Sequence, residues 1–167
     1  IGTYDENDIP DAMNAAWGGL YDADKVVLCL SAGHKTTRNI KAKGAFTVSF
    51  ADAEHVVPAD YVGLVSANSE SKKMEKSGLH STKSAFVGAP LFDELPVTLE
   101  CTFLRETEEG NIIGQIVNVC IDESVSDADG ELDLGKFHPI SFEPVHNGYH
   151  MMGERVGNAF QDGSVLK

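Results

Sequence analysis

The sequence predicts a mainly β domain that closes into a barrel and carries a few short helices. Short runs rich in β-branched and aromatic residues recur between turn residues, while only two segments have a helical composition. Gly114 interrupts a predicted strand, which is typical of a bulge or bend where a sheet curls. Because strands dominate and do not alternate with long helices, a barrel is favoured over a doubly wound sheet. The 167 residues suffice for a single domain over residues 1–167.

Four strands are predicted in chain order. Residues 26–30 (VVLCL) are apolar throughout, which indicates a strand buried on both faces, and residues 45–50 (AFTVSF) form the next. Residues 97–104 (VTLECTFL) alternate apolar and polar side chains, which predicts a strand with one face in water. A turn at 108–111 (EEGN) joins it to 112–121 (IIGQIVNVCI), so these two strands form a hairpin.

The two predicted helices are short, polar and basic. They cover residues 36–43 (TTRNIKAK) and 69–77 (SESKKMEKS), and each is followed by a glycine, Gly44 or Gly78, which ends a helix well. Residues 122–135 hold six acidic side chains without the spacing of a calcium loop, so we predict a solvated acidic loop and no metal site.

Composition narrows the function classes. The net charge of −13 argues against nucleic-acid and anionic-membrane partners, and no apolar run approaches the roughly 18 residues that span a bilayer. The three cysteines, Cys29, Cys101 and Cys120, lie in apolar runs without CxxC spacing, so we expect reduced core residues in a cytoplasmic protein. The sequence opens at Ile1 without a secretory leader and as though inside a strand, so we expect further N-terminal residues.

The charge is distributed unevenly. Residues 25–83 hold nine of the 13 basic and five of the 26 acidic residues, a net +4, while the remainder carries −17. A positive region of this size suits a small anion with one phosphate better than a polymer. Solvated helix faces explain it about equally well.

Two segments are candidates for ligand contact. Residues 31–37 (SAGHKTT) place hydroxyls, an ammonium group and free backbone N–H groups at a helix N-terminus, which favours phosphate, although such residues are also common caps. Residues 14–19 (NAAWGG) join the only tryptophan to small residues that let a flat ring approach the backbone. The alternative is a core Trp17 that anchors the barrel.

Familiar catalytic motifs are absent. The sequence has no GxGxxG after a strand, no P-loop, no HExxH and no GxSxG, and its six histidines are scattered. No catalytic dyad can be assigned, so the catalytic residues stay unknown at this stage.

Taken together, six segments resemble the flavin reductase-like, flavoredoxin family in order and spacing. They are NAAWGG (14–19), HKTTRNIKAKGAFTVSF (34–50), SANSESKKMEKSGL (66–79), APLFDELPVTLEC (89–101), GNIIGQIVNV (110–119) and GYHMMGERVGNAFQDG (148–163). The resemblance covers essentially the whole chain. It implies an FMN-binding split β-barrel that works as a homodimer, with FMN near the subunit interface.

The resemblance also implies which residues contact FMN. Those that would line the isoalloxazine are Asn14, Ala15, Ala16 and Trp17. Those that would hold the phosphate and ribityl chain are Ser31, His34, Lys35 and Thr36, and a second loop adds Asn68, Ser69 and Lys73. Ser49 stands where the family often has Asn, and Lys72 where relatives frequently carry Asp, so a local salt bridge is expected to be missing there.

The function that this resemblance implies is that of a redox flavoprotein. Bound FMN would accept electrons from NAD(P)H or a redox protein, and would pass them to free flavin, ferric iron or a protein acceptor. Two alternatives share the barrel. One is oxidation of a small amine, as in pyridoxamine-phosphate oxidases, although Arg38 is the only arginine in the basic window and a doubly phosphorylated ligand needs more. The other is a non-catalytic flavin- or haem-binding carrier or sensor.

Overall fold

The computed structural model describes all 167 residues as eleven strands and three α-helices. The strands are β1 (Gly2–Tyr4), β2 (Pro10–Ala12), β3 (Gly18–Asp22), β4 (Lys25–Leu28), β5 (Ala45–Ser49), β6 (Ser81–Lys83), β7 (Pro90–Phe92), β8 (Val97–Glu106), β9 (Ile112–Ile121), β10 (Ile140–Glu143) and β11 (Gly148–Met151). The helices are α1 (Lys35–Lys43), α2 (Val56–Leu64) and α3 (Lys73–Ser77), with 3-10 turns at Glu123–Val125 and Asp162–Leu166. None of these helices has the length and apolar character needed to cross a membrane.

Seven strands form one antiparallel sheet in the order β2-β1-β5-β8-β9-β4-β3. Its two edges, β2 and β3, do not pair with each other, so the barrel is open between them. The pairs β6-β7 and β10-β11 are separate two-stranded ribbons. The predicted class, mainly β in a split barrel with a few short helices, is confirmed.

The main core lies where α1 packs on the central strands. It is a cluster of eight buried side chains from β4, α1, β5, β8, β9 and the residues just after β4: Val26, Leu28, Leu30, Ile40, Phe46, Leu99, Cys101 and Ile112. Gly44 ends α1 as predicted, because it adopts φ +70° and its N–H donates to the carbonyl of Ile40 at 2.8 Å.

The predicted β8–β9 hairpin is present, with a bulge beside Gly114. Phe103 pairs with Gly114 and Arg105 with Ile113, which leaves Leu104 as the extra residue. A Cβ at Gly114 would lie 2.3 Å from Cζ of the fully buried Phe46, so this strand needs a glycine where the ring crosses it.

Some sequence expectations are wrong because pairing partners far along the chain decide burial. Residues 26–30 do not form a strand buried on both faces: Val26 and Leu28 are buried, but Cys29, expected in the core, is exposed. The polar face of β8 does not meet water over its first half, because Thr98 and Glu100 are covered and Glu100 accepts hydrogen bonds from Ser84 and Asn118.

Helix prediction was also incomplete. The second predicted helix, 69–77, is helical only over α3, since residues 69–72 are not helical. The whole of α2 was missed, because Pro58 and Gly63 lie within its nine residues and lower its helical propensity.

Candidate functional site

A cavity of about 390 Å³ opens beside the two free edges of the main sheet, β2 and β3. Its walls come from residues 12–19, the ends of β4 and β5, α2, and the β10–β11 ribbon, and most of the lining side chains are apolar. Five of the residues predicted to contact a ligand line it: Asn14, Ala15, Ala16, Trp17 and Ser49. The structure therefore brings the predicted ring-contact residues to one cavity.

Trp17 lies at the rim of this cavity rather than in the core. Its side chain is 61% exposed, and its ring meets that of Phe142 edge-on, with centroids 6.4 Å apart and planes at 80°. The core-anchor alternative is therefore wrong. Gly18 follows Trp17, and a Cβ there would lie 2.7 Å from the carbonyl oxygen of Val27, so a larger residue would displace this wall.

Few polar side chains reach the cavity, and two of them, Asn14 and Tyr149, are hydrogen-bonded to each other. Tyr149 donates its hydroxyl proton to Asp60 at 2.8 Å and accepts a hydrogen bond from the Asn14 amide nitrogen at 3.2 Å. Burial raises the pKa of Tyr149 above its ordinary value, and the hydrogen bond to Asp60 raises it further. Tyr149 thus stays a neutral phenol that ties two walls together.

The two predicted phosphate loops are brought together by a residue that the sequence analysis did not assign to the site. Arg38 donates one Nη to the carbonyl of Gly33 at 3.1 Å and the other to Oδ1 of Asn68 at 2.6 Å. It lies four residues after His34, one helical turn into α1, so helix periodicity alone could have placed it beside the loop. Because a guanidinium carries more N–H groups than these two bonds use, Arg38 retains donors for an anion.

The exposed side of the same region holds several other predicted contacts. Ser31, His34, Asn68 and Ser69 are all exposed, and the side chain of His34 does not cap α1. The N–H groups of the first turn of α1 therefore lack a side-chain acceptor, as an anion site requires.

Two of the three remaining predicted phosphate contacts, Lys35 and Lys73, already have partners in this chain. The Lys35 ammonium pairs with Asp5 at 2.9 Å, and Thr36 is buried. Lys73 is buried, donates to the carbonyl of Ala12 at 2.5 Å and lies 3.1 Å from Asp11. Lys73 therefore holds the strand that leads into the cavity wall, and a phosphate contact for Lys35, Thr36 or Lys73 stays a prediction.

The ionisation of the Asp5 carboxyl group depends on its contacts with Lys35 and the neighbouring backbone. Burial opposes its ionisation, but hydrogen bonds from Lys35 and from the backbone N–H groups of Ile9 and Asn7 outweigh it, and the pKa of Asp5 falls below its ordinary value. The ion pair therefore fastens the first turn of α1 to the loop after β1.

The cysteines and the acidic segment add no second site. Burial, with the adjacent Glu100 carboxylate, raises the pKa of Cys101 to about 12, so this thiol is unreactive at neutral pH. No group of three or more His, Cys, Asp or Glu side chains is placed to hold a metal ion.

Comparison with known proteins agrees with this geometry. Residues 2–141 match the family model of the flavin reductase like domain. Flavoredoxin of Desulfovibrio vulgaris (Miyazaki F) is 35% identical, with 97% of this chain and 89% of that chain covered and a TM-score of 0.92. Flavoredoxin from Methanosarcina acetivorans is 23% identical, with 99% and 89% covered and a TM-score of 0.88.

A more distant structure shows the same fold. An FMN-binding domain of a flavin reductases-like enzyme from Shewanella baltica OS155 is 17% identical, with 94% of this chain and 86% of that chain covered and a TM-score of 0.82. No curated protein matches the chain.

Proposed function

Because the chain belongs to the flavin reductase like domain family, we propose that it is an FMN-dependent oxidoreductase that passes electrons from NAD(P)H or a redox protein to free flavin, ferric iron or a protein acceptor. One observation carries the proposal. The apolar cavity at Trp17 lies next to the two loops that Arg38 joins. The link is residue Cys29, whose N–H donates to the carbonyl of Trp17 at 3.0 Å and which lies two residues before Ser31 in the first of these loops.

The residues present fit FMN, a flat apolar ring joined by a polar chain to a phosphate. A cavity of about 390 Å³ is in the range of small-ligand sites, and its apolar walls suit the ring. Arg38 and the N-terminus of α1 supply positive charge for the phosphate. No histidine lines the cavity, so it offers haem iron no imidazole ligand.

FMN supplies hydride and electron chemistry when bound, so the chain's residues need only bind and orient it. Ala15 and Ala16 let a ring approach the backbone, and Trp17 and Phe142, which meet edge-on, form the adjacent wall. Arg38 and Asn68 hold the two loops together beside the N-terminus of α1, where they would hold the phosphate. No side-chain acid or base is required, in agreement with the absence of a catalytic dyad.

We also propose that the protein is a homodimer. Large apolar side chains stay exposed on β3 and β9, at Leu20 (73%), Tyr21 (53%) and Val119 (51%). An exposed apolar surface of this kind marks an interface, and two-fold dimers are the commonest oligomers. Multi-angle light scattering should give twice the mass of 18.0 kDa, and a monomer at working concentration would contradict the proposal.

An anaerobic reduction screen tests the activity. Flavin-loaded protein is mixed separately with NADH, NADPH and reduced ferredoxin while the absorbance of oxidised flavin is followed. Bleaching by one donor, followed by reoxidation with free flavin, ferric iron or a protein acceptor, supports the proposal. Flavin that stays oxidised with every donor would contradict the proposed activity and favour a non-catalytic carrier or sensor.

We also propose that the protein is located in the cytoplasm. The free thiol of Cys29 is exposed, which fits a reducing compartment.

A further inference from the structure

A chain of three polar side chains crosses the wall of the apolar cavity. Asp60 of α2 accepts the hydroxyl proton of Tyr149 of β11 at 2.8 Å, and Tyr149 accepts from the amide nitrogen of Asn14 at 3.2 Å. Asp60 and Asn14 make no other side-chain hydrogen bond, so these three hydrogen-bonded side chains are not linked to any other side chain of the protein. Gly63 lets α2 approach Asn14 closely, since a Cβ on Gly63 would lie 2.9 Å from the Cβ of Asn14.

The direction of these hydrogen bonds is fixed from one end. An ionised carboxylate can only accept, so the single proton of Tyr149 must point to Asp60. The Tyr149 oxygen is then left as an acceptor, which requires Asn14 to turn its NH₂ group toward it. The amide oxygen of Asn14 and its second N–H are thereby left for a ligand, and neither has a partner in the protein.

We propose that Asp60 and Tyr149 are positioning residues that fix the amide of Asn14 so that the cavity recognises a ring edge carrying an N–H next to a carbonyl. This inference rests on the proposed function. Oxidised flavin has one such edge, where N3–H lies between two carbonyls, while the opposite end of the ring carries only methyl groups. The same pairing of a side-chain amide with an adjacent donor and acceptor is how Asn reads adenine in DNA. The polar edge of the flavin would therefore face Asn14.

Two substitutions disrupt the hydrogen bonds between Asp60, Tyr149 and Asn14 at different residues. Asp60→Asn lets residue 60 donate as well as accept, so the Tyr149 proton is free to turn to the Asn14 oxygen and the amide is no longer fixed. Tyr149→Phe removes the link and keeps an aromatic ring in place against Phe142, 6.0 Å away between centroids. Glu54→Gln is the matched control, because it removes one exposed negative charge just before α2 and leaves the chain of hydrogen bonds intact.

The test compares the dissociation constants of FMN and N3-methyl-FMN, measured by flavin fluorescence in an apoprotein titration. The phosphate is common to both ligands, so its contribution cancels in the ratio. Wild type and Glu54→Gln should prefer FMN by about tenfold, as expected for one hydrogen bond lost and left unpaired. In Asp60→Asn and Tyr149→Phe the ratio should fall toward one.

Each outcome has one meaning. A wild-type protein that binds both flavins equally, or a ratio unchanged in Tyr149→Phe, the variant that preserves packing, would overturn the inference and leave the proposed function standing. A wild-type protein that binds neither flavin would overturn the proposed function itself.

Discussion

Replacing Arg38 by alanine tests whether the two loops form a phosphate site. Arg38 is exposed, and its partners, the carbonyl of Gly33 and Oδ1 of Asn68, are in exposed residues that water can satisfy. The loss in folding stability should therefore be below about 1 kcal/mol, as for other exposed polar contacts.

The effect on FMN should be much larger. A hydrogen bond between a guanidinium and a phosphate contributes about 1.5–3 kcal/mol, so the dissociation constant of FMN should rise roughly 10- to 150-fold. Riboflavin, which has the same ring and no phosphate, should bind the variant and the wild type equally.

The assay is a titration of apoprotein with each flavin, read by the quenching of flavin fluorescence. Lys41→Ala is the control, since it removes the same charge from α1 at a residue that pairs with Glu106 at 2.6 Å. An FMN affinity unchanged by Arg38→Ala, or an equal loss for FMN and riboflavin, would refute the assignment of the phosphate to these loops.

Three other predictions concern stability and thiol chemistry. Asp5→Asn should lower the thermal midpoint at pH 7, and the difference from wild type should shrink below about pH 4. The reason is that the pKa of Asp5 is lower in the folded than in the unfolded state, so its carboxylate stabilises the fold above the unfolded-state pKa, and this stabilisation is lost as the pH falls through the folded-state pKa. Gly114→Ala should cost about 1–3 kcal/mol in urea unfolding, because the new Cβ overlaps Phe46. A thiol reagent at pH 8 should label the exposed Cys29 in the folded protein and reach Cys101 only on unfolding.

Each of these has its own control. Asp8→Asn removes a carboxylate of the same loop that pairs with Lys43 but is 82% exposed, so it should lower the thermal midpoint less than Asp5→Asn does. Gly88→Ala places a Cβ in open space and should be nearly neutral, so an equal cost at both glycines would argue against the clash. Labelling of Cys101 as fast as Cys29 would contradict its burial.

The parts of the fold that could be predicted from sequence depend on local patterns. The β8–β9 hairpin was predicted from strong strand residues around a turn, and the end of α1 from a single glycine. The three-residue strand β2 could not be found, since its segment PDA has low β-propensity and is held by its pairing with β1. The burial of Glu100 likewise depends on Ser84 and its neighbours, which lie well before it in the chain.

In the candidate site too, the features that depend on local sequence could be predicted, and those that depend on contacts between distant residues could not. Among the residues that the resemblance assigned to FMN contact, Asn14 to Trp17 and Ser49 line one cavity. Sequence could not show that Lys35 pairs with Asp5, or Lys73 with Asp11, because each pair is formed across the fold. A lysine near a loop therefore predicts charge, but only the tertiary structure shows whether that charge is free for a ligand.

A crystal structure of the FMN complex tests the central claim most directly. The account predicts the isoalloxazine inside the cavity beside Trp17, and the phosphate within hydrogen-bonding distance of Arg38 and the first turn of α1. Electron density for FMN elsewhere, with the cavity and the Arg38 loops unchanged and without ligand, would contradict it.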